Sequence, residues 1–243
     1  MFTREESVLK VRVKFEKKGA MKFIGHLDMM RYFQKAIRRA GIDVAYSEGF
    51  SPHMIMSFAA PLGVGVTSSG EYFDMEVQTP LSTADFGRRF NAVMAEGIRV
   101  MSVREIPDQK ASKAMSLVAA ADYYVDFREG REPSQNYRER ISGFMAQRSI
   151  MVMKKTKRSE QETDIRPLIY RFELIDGRIF MQLATGSVHN LKPELVMETF
   201  YRYMGEEVLP YAWMVHREEV YANTGDEQHL KLVSLESLGK IIE

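Results

Sequence analysis

The chain has 243 residues, of which 45% are hydrophobic and 28% charged, with a formal net charge of +1 and no cysteine. That length fits one large domain or two of roughly 100 residues each, and the hydrophobic fraction is enough for a core, which argues against disorder. Near-neutral charge leaves any attraction to nucleic acid to local patches, and the missing thiols exclude disulfides, Cys-held iron–sulfur clusters, thiolate catalysis and Cys-rich zinc sites.

Leu9, Val11, Val13 and Phe15 alternate with Lys10, Arg12, Lys14 and Glu16, the pattern of a half-buried strand. Lys17-Lys18-Gly19 turns the chain. Residues 27–40 read as a helix with Leu27, Met30, Phe33, Ile37 and Ala40 on one face, stopped by Gly41. Residues 42–46 are predicted as a short strand, followed by a loop with Gly49 and Pro52 and an apolar stretch over 54–62. Phe73, Met75 and Val77 mark a second clear strand. Ser82 caps a helix, with Asp85 at the reciprocal position and Phe86 and Phe90 facing inward; residues 98–103 return as a strand.

The order repeats after a connection over 107–120. Tyr123, Val125 and Phe127 form a strand, and Pro133 fits the first turn of a helix carrying Tyr137, Ile141, Phe144 and Met145. Residues 150–153 are a strand leading into the basic tip Lys154-Lys155-Thr156-Lys157-Arg158. Strands over 168–174 and 178–183 are joined by Asp176-Gly177, a hairpin signal. Pro193 opens a helix with Val196, Phe200 and Tyr203 on one side, and residues 213–221 form the last strand. The expectation is an α+β protein of two ferredoxin-like (split βαβ) sandwiches in tandem, with antiparallel sheets and helices on one face. The domains would be 1–106 and 121–223, with an extra strand in the second and a peripheral tail over 224–243.

The run Gly25-His26-Leu27-Asp28, Arg31, Arg38-Arg39-Ala40-Gly41, Tyr46-Ser47-Glu48-Gly49-Phe50-Ser51-Pro52-His53, Pro61-Leu62-Gly63 and Ser69-Gly70-Glu71-Tyr72 resembles the bacterial radical SAM-linked domain of unknown function. Thr163-Asp164-Ile165-Arg166-Pro167, Gly186-Ser187 and Asn190-Leu191-Lys192-Pro193-Glu194 extend the resemblance, which covers residues 9–221. It implies a working partner, a radical SAM protein that carries S-adenosylmethionine and an iron–sulfur cluster. This chain, without cysteine, is expected to hold no cofactor itself.

His26, His53, Asp28 and Glu71 are the catalytic candidates. His26 stands at a predicted helix start, where the dipole disfavours an imidazolium; it either caps the helix or contacts a ligand as a neutral donor, base or metal ligand. Asp28 and Arg31, three apart, pair on the helix surface or orient His26. In the 46–53 segment, Tyr46, Ser47, Gly49 and Phe50 are binding candidates: Gly49 permits an unusual backbone angle, Pro52 stiffens the step before His53, and Phe50 either anchors the loop or offers a stacking face. Glu71 opens a strand beside the first one and can face the loop as an acid/base group or stand exposed. Asp164 with Arg166 forms a second cluster, read otherwise as an interdomain salt bridge. Ser187, Asn190 and Lys192 form a third at a helix N-terminus suited to phosphate or carboxylate. Lys154, Lys155, Lys157 and Arg158 are weaker candidates for nucleic-acid phosphate. The histidines at 26, 53, 189, 216 and 229 show no His-x-x-x-His spacing, so no metal site is expected.

Three functions compete. The first is an accessory module that binds a substrate, with RNA or a ribosome- or tRNA-related molecule as the candidate, and presents it to a radical SAM enzyme. The second is a His/carboxylate-dependent RNA-processing or RNA-modifying enzyme. The third is a structural partner only. No apolar run approaches the roughly 18 residues of a membrane span and no signal-peptide core is evident, so a cytoplasmic protein without membrane contact is expected.

Overall fold

A computed structural model describes residues 8–109, 112–133, 136–155, 160–226 and 229–243. The chain divides into two compact units, Met1–Ala119 with Glu219–Glu243, and Ala120–Glu218. Both are α+β. Among the described residues no helix is long and apolar enough to cross a membrane.

In the first unit, β1 (Leu9–Lys17) lies between β3 (Thr67–Val77) and β4 (Ile98–Glu105), antiparallel to both. The short β2 (Met56–Phe58) pairs antiparallel with β3. Alternation along β1 and β3 turns Val11, Val13, Phe15, Phe73, Met75 and Val77 into the core. Two helices cover that face. In α1 (His26–Arg39) Met29, Phe33, Ala36 and Ile37 are buried; in α2 (Thr83–Asn91) Phe86 and Phe90 are. Phe33 is the hub of an aromatic cluster, with ring centroids 4.7 Å from Phe15 and 4.8 Å from Phe73. Ser82 caps α2 as its sequence indicates, its Oγ accepting from the Asp85 N–H at 3.1 Å.

Two expectations for this unit need correcting. Residues 42–46 form no strand; Val44 and Tyr46 make only isolated bridges, to Val77 and Met54, and the strand falls at β2 instead. The tail is not peripheral. Its β11 (Leu232–Ser234) pairs with β10 (Trp213–Asn223), a 3-10 turn (Leu235–Leu238) buries Leu235 completely, and Lys240 bridges Glu105.

The tail is held by buried charge. Arg12, 1% exposed, makes a bidentate pair with Asp74 (2.8 and 3.0 Å) and donates to the carbonyls of Leu235 and Ser112. Asp74 also accepts from the Ala114 N–H at 2.7 Å, which fixes the start of the short α3 (Ala114–Leu117). Beside this, Lys14 donates to Glu219 at 2.6 Å and Glu236 at 2.8 Å; Tyr72 donates to Glu219, and Ser102 to Glu236. Burial lowers the Lys14 pKa, but its bonds to the two carboxylates outweigh that and raise it overall. Burial raises the Glu236 pKa, but the bonds from Lys14 and Ser102 leave it below the ordinary carboxylate range. Burial first, then the Glu219 charge, pushes the Tyr72 phenol far up.

The signs give a stability profile. A depressed Glu236 stabilises the fold above its ordinary value of 4.5 and loses that contribution as pH falls through its folded value. A raised Lys14 stabilises the fold below its ordinary 10.5 and loses that as pH rises through the folded value. Thermal melts should therefore show a plateau between these limits and an acid limb that Glu236→Gln flattens; an unchanged acid limb in that variant would assign the loss to other carboxylates.

In the second unit the strand order is β10-β5-β9-β8, where β5 is Val118–Phe127, β8 Ile169–Ile175 and β9 Arg178–Ala184. Asp176 and Gly177 both take positive φ (51° and 79°), which gives the tight β8–β9 hairpin its twist-compatible turn. α4 (Tyr137–Met145) and α5 (Pro193–Met204) bury Tyr137, Ile141, Phe144, Val196 and Phe200. Pro193 starts α5 as expected. Pro133 does not start α4, whose N-cap is Asn136. β6 (Met151–Lys155) pairs with β7 (Glu160–Asp164) in a separate two-stranded sheet.

Candidate functional site

The 47–53 loop is closed at its neck. The Ser47 N–H donates to the His53 carbonyl at 2.9 Å, the His53 N–H donates to Ser47 Oγ at 3.1 Å, and the same Oγ lies 2.8 Å from His53 Nδ1. Three contacts between one pair of residues tie the two ends together, and Gly49 at φ 104° turns the chain between them. Phe50, at the tip, is fully exposed, and Tyr46 before the neck is 43% exposed. His53 is thus a surface residue rather than a core histidine, and Phe50 does not anchor the loop in the core.

Behind the neck lies a cavity of ≈ 230 Å³ lined by Lys10, His53, Met56, Asp74, Glu76 and Lys113, among others. Lys10 is held by Asp108 (2.5 Å) and Glu76 (3.2 Å). The bond from Asp108 raises its pKa, burial opposes, and Glu76 adds to the rise, so it stays a cation. Asp74 is already engaged by Arg12 and Ala114. The cavity therefore offers methionine and isoleucine walls with imidazole, ammonium, carboxylate, amide and hydroxyl groups at its polar positions, a mixture suited to a partly apolar, hydrogen-bonding ligand.

His26 and Glu71 meet elsewhere, in a cavity of ≈ 20 Å³ walled by Phe15, Met29, Phe58, Pro61 and Leu62. Gly25 is the N-cap of α1, and no side chain caps it; His26 is the first helical residue rather than the cap. Its ring meets Phe58 edge-on at 5.3 Å. Glu71 is 4% exposed, not a strand-end surface carboxylate, because it pairs with Phe15 and shares the core parity of Phe73 and Met75. The same cavity takes Lys17, 3% exposed, whose Nζ donates to the Ile24 carbonyl at 2.6 Å. Lys17 was not among the sequence candidates, yet its parity with Val11, Val13 and Phe15 points inward. The four catalytic candidates are therefore divided: His26 with Glu71, and His53 in the other cavity. Asp28 makes an exposed pair with Arg31 at 3.2 Å.

In the second unit, Asp164 and Arg166 act on the backbone, not as an interdomain salt bridge. Asp164 Oδ1 accepts from the N–H groups of Ile150 (2.8 Å) and Arg166 (2.9 Å). The Arg166 guanidinium donates to the carbonyls of Met145 and Ile169. The pair thereby ties α4, the β6–β7 hairpin and β8. Ser187, Asn190 and Lys192 are exposed on the approach to α5, and Lys192 is its N-cap position, without a side-chain cap bond. Lys157, Arg158 and the side chains of Lys154 and Lys155 lie outside the described residues.

A search of curated proteins finds no match. A family model described as an uncharacterized protein conserved in bacteria (DUF2344) matches residues 10–193, a span that takes in the 47–53 loop, both cavities and the Asp164–Arg166 ties. Since this is most of the chain, the protein belongs to that bacterial family.

Proposed function

We propose that the protein is an accessory, substrate-binding module that works with a radical SAM enzyme, with RNA as its substrate class. The observation that carries the proposal is the 47–53 loop: a neck closed by Ser47 and His53 that holds Phe50 wholly in solvent. Leaving a large aromatic ring in water forgoes roughly 1.5–3 kcal/mol of burial, and a tied loop has less entropy to lose when that ring is covered by a partner. An exposed aromatic ring is a platform on which a base can stack without sequence readout. The resemblance to the radical SAM-linked domain supplies the partner, which would carry S-adenosylmethionine and the cluster. We read the two units as tandem ferredoxin-like sandwiches on the strength of their strand orders, with β1 central between β4 and β3, β2 on β3, and β10-β5-β9-β8 in the second unit. The β6–β7 hairpin would be an insertion.

The test is affinity capture from the native cells with wild-type protein and Phe50→Ala, identifying both proteins and nucleic acids. Phe50→Ala should leave stability within about 0.5 kcal/mol, since the side chain is exposed. It should lower the yield of a radical SAM protein or a defined RNA at least tenfold. Equal yields from the two proteins would reject the loop as the binding element, and capture of neither class would reject the module.

A further inference from the structure

Resting on the RNA-binding reading of the loop, we infer that the cavity behind its neck receives a single guanine base. The cavity floor is Lys10, Asp74 and Glu76. These residues have the strand parity opposite to that of the core-facing Val11, Val13 and Phe73, and Lys10 stands across from Glu76 as Arg12 does from Asp74. The roof, over residues 106–113, is tied at both ends. The Ile106 N–H donates to the Lys10 carbonyl at 2.9 Å. At the other end Arg12 donates to the Ser112 carbonyl, and the Ala114 N–H donates to Asp74. The space is thus preformed, and a ligand that enters it orders little chain.

Charge and size select the ligand. Lys10 is shared by Asp108 and Glu76, and Arg12 is matched by Asp74, so carboxylates outnumber cations around the floor and an anionic group is disfavoured there. At ≈ 230 Å³ the cavity falls below the ~300–1,000 Å³ of drug-sized sites, which suits one ring system rather than two. The floor then reads the edge of that ring. Lys10 and Glu76 stand 3.2 Å apart with 25% and 24% of their side chains exposed, a donor beside an acceptor. An ammonium carries three donors, of which Asp108 and Glu76 take two, and a carboxylate offers about four acceptor sites, of which Lys10 takes one. Guanine presents its O6 acceptor directly beside two parallel donors, N1–H and N2–H, so it meets the ammonium once and the carboxylate twice. Adenine and cytosine offer the carboxylate only an exocyclic amine, and uracil only a ring N–H. Exposed Lys113, also in the lining, places a cation outside for the phosphate of the nucleotide.

The isoleucines supply the readout, because Ile55 lines this cavity and Ile37 of α1 lies in the core. With methyl-labelled isoleucine, guanosine should move the Ile55 resonance saturably and leave Ile37 in place. Inosine, adenosine and cytidine should each bind at least tenfold more weakly, since each denies the carboxylate one of its two bonds. Glu76→Gln should weaken guanosine by at least the same factor. The trinucleotide UpGpU binding more tightly than guanosine 5′-monophosphate identifies an RNA strand as the source. The monophosphate binding at least as tightly identifies a free nucleotide, and then the guanine site stands while the RNA reading falls. Phe50→Ala, which tests that reading by capture, should leave the guanosine titration unchanged, because Phe50 is outside the lining. Inosine, adenosine or cytidine binding as tightly as guanosine, or an unmoved Ile55 with all four nucleosides, overturns the inference, and this comparison on the wild-type protein stands even if Glu76→Gln does not fold.

Discussion

Arg12→Ala is expected to destabilise the first unit by about 3–5 kcal/mol, because it strips the partner from a buried carboxylate and leaves two carbonyls without their donor. Asp74 would keep only the Ala114 N–H as a bond across 40 residues, and the carbonyls of Leu235 and Ser112 would lose theirs. The loss is spread over three segments: strand β3, the chain at 112–114, and the turn that follows β11. Arg12→Lys should recover only part of it, since a single ammonium cannot make the bidentate contact and still reach both carbonyls. The double change Arg12→Met with Asp74→Leu should cost less than Arg12→Ala alone, because no unpaired charge remains, although the Ala114 N–H then loses its acceptor. Denaturant unfolding followed by circular dichroism measures all three. A cost under about 1 kcal/mol for Arg12→Ala would mean that water reaches Asp74.

That cluster also marks where the sequence stops being informative. The strands β1 and β3, the helix α1, the Ser82 cap and the Asp176-Gly177 hairpin were legible because each follows from a short period or a local turn preference. Arg12 binds partners 62, 100 and 223 residues away, and no local pattern encodes such distances. The same is true of the tail, whose short strand and 3-10 turn are ordered by Lys14, Ser102 and Glu105 rather than by their own composition. β7, Glu160–Asp164, has no apolar alternation to announce it, and exists through its ladder with β6. Residues 42–46 erred the other way: they have strand composition, but only two isolated bridges form there.

The density of Gly, Ser and Pro in residues 47–53 marked a loop, which the structure shows, while the direction of its residues did not follow. Phe50 and His53 could each have turned inward; the Ser47 neck decides that they do not. Lys17 was hidden by its neighbours, since Lys17-Lys18-Gly19 has turn composition. Strand parity, carried two residues further than the visible alternation, would have placed it inside with Glu71. The two cavities separate His53 from His26 and Glu71, which the sequence alone had grouped into one His/carboxylate set.

In the second unit the largest effect is expected from Phe144→Ala. Phe144 is fully buried, and its ring lies 5.4 Å from Phe172, 5.2 Å from Phe200 and 5.5 Å from Tyr203. It is the point at which α4 meets both β8 and α5. Truncation should cost about 3–5 kcal/mol, the range for opening a large aromatic cavity in a core. The upper end is favoured because α4 has only 9 residues and cannot hold its helical form without tertiary contacts. Collapse around the void is also hindered: the Arg166 side chain ties the Met145 carbonyl to β8 at one end of α4, so the helix cannot slide inward without breaking those bonds. Phe144→Leu should recover more than half of the loss, as it restores most of the volume without the ring edges that Phe172 and Phe200 meet. The chain has a single tryptophan, Trp213, packed 5.5 Å from Tyr201 on α5, and its fluorescence reports this unit during denaturation. A Trp213-monitored midpoint that stays within about 1 kcal/mol of wild type in Phe144→Ala would mean that β8 and α5 hold together without α4, and that the Asp164–Arg166 ties rather than the aromatic cluster fix the helix in place.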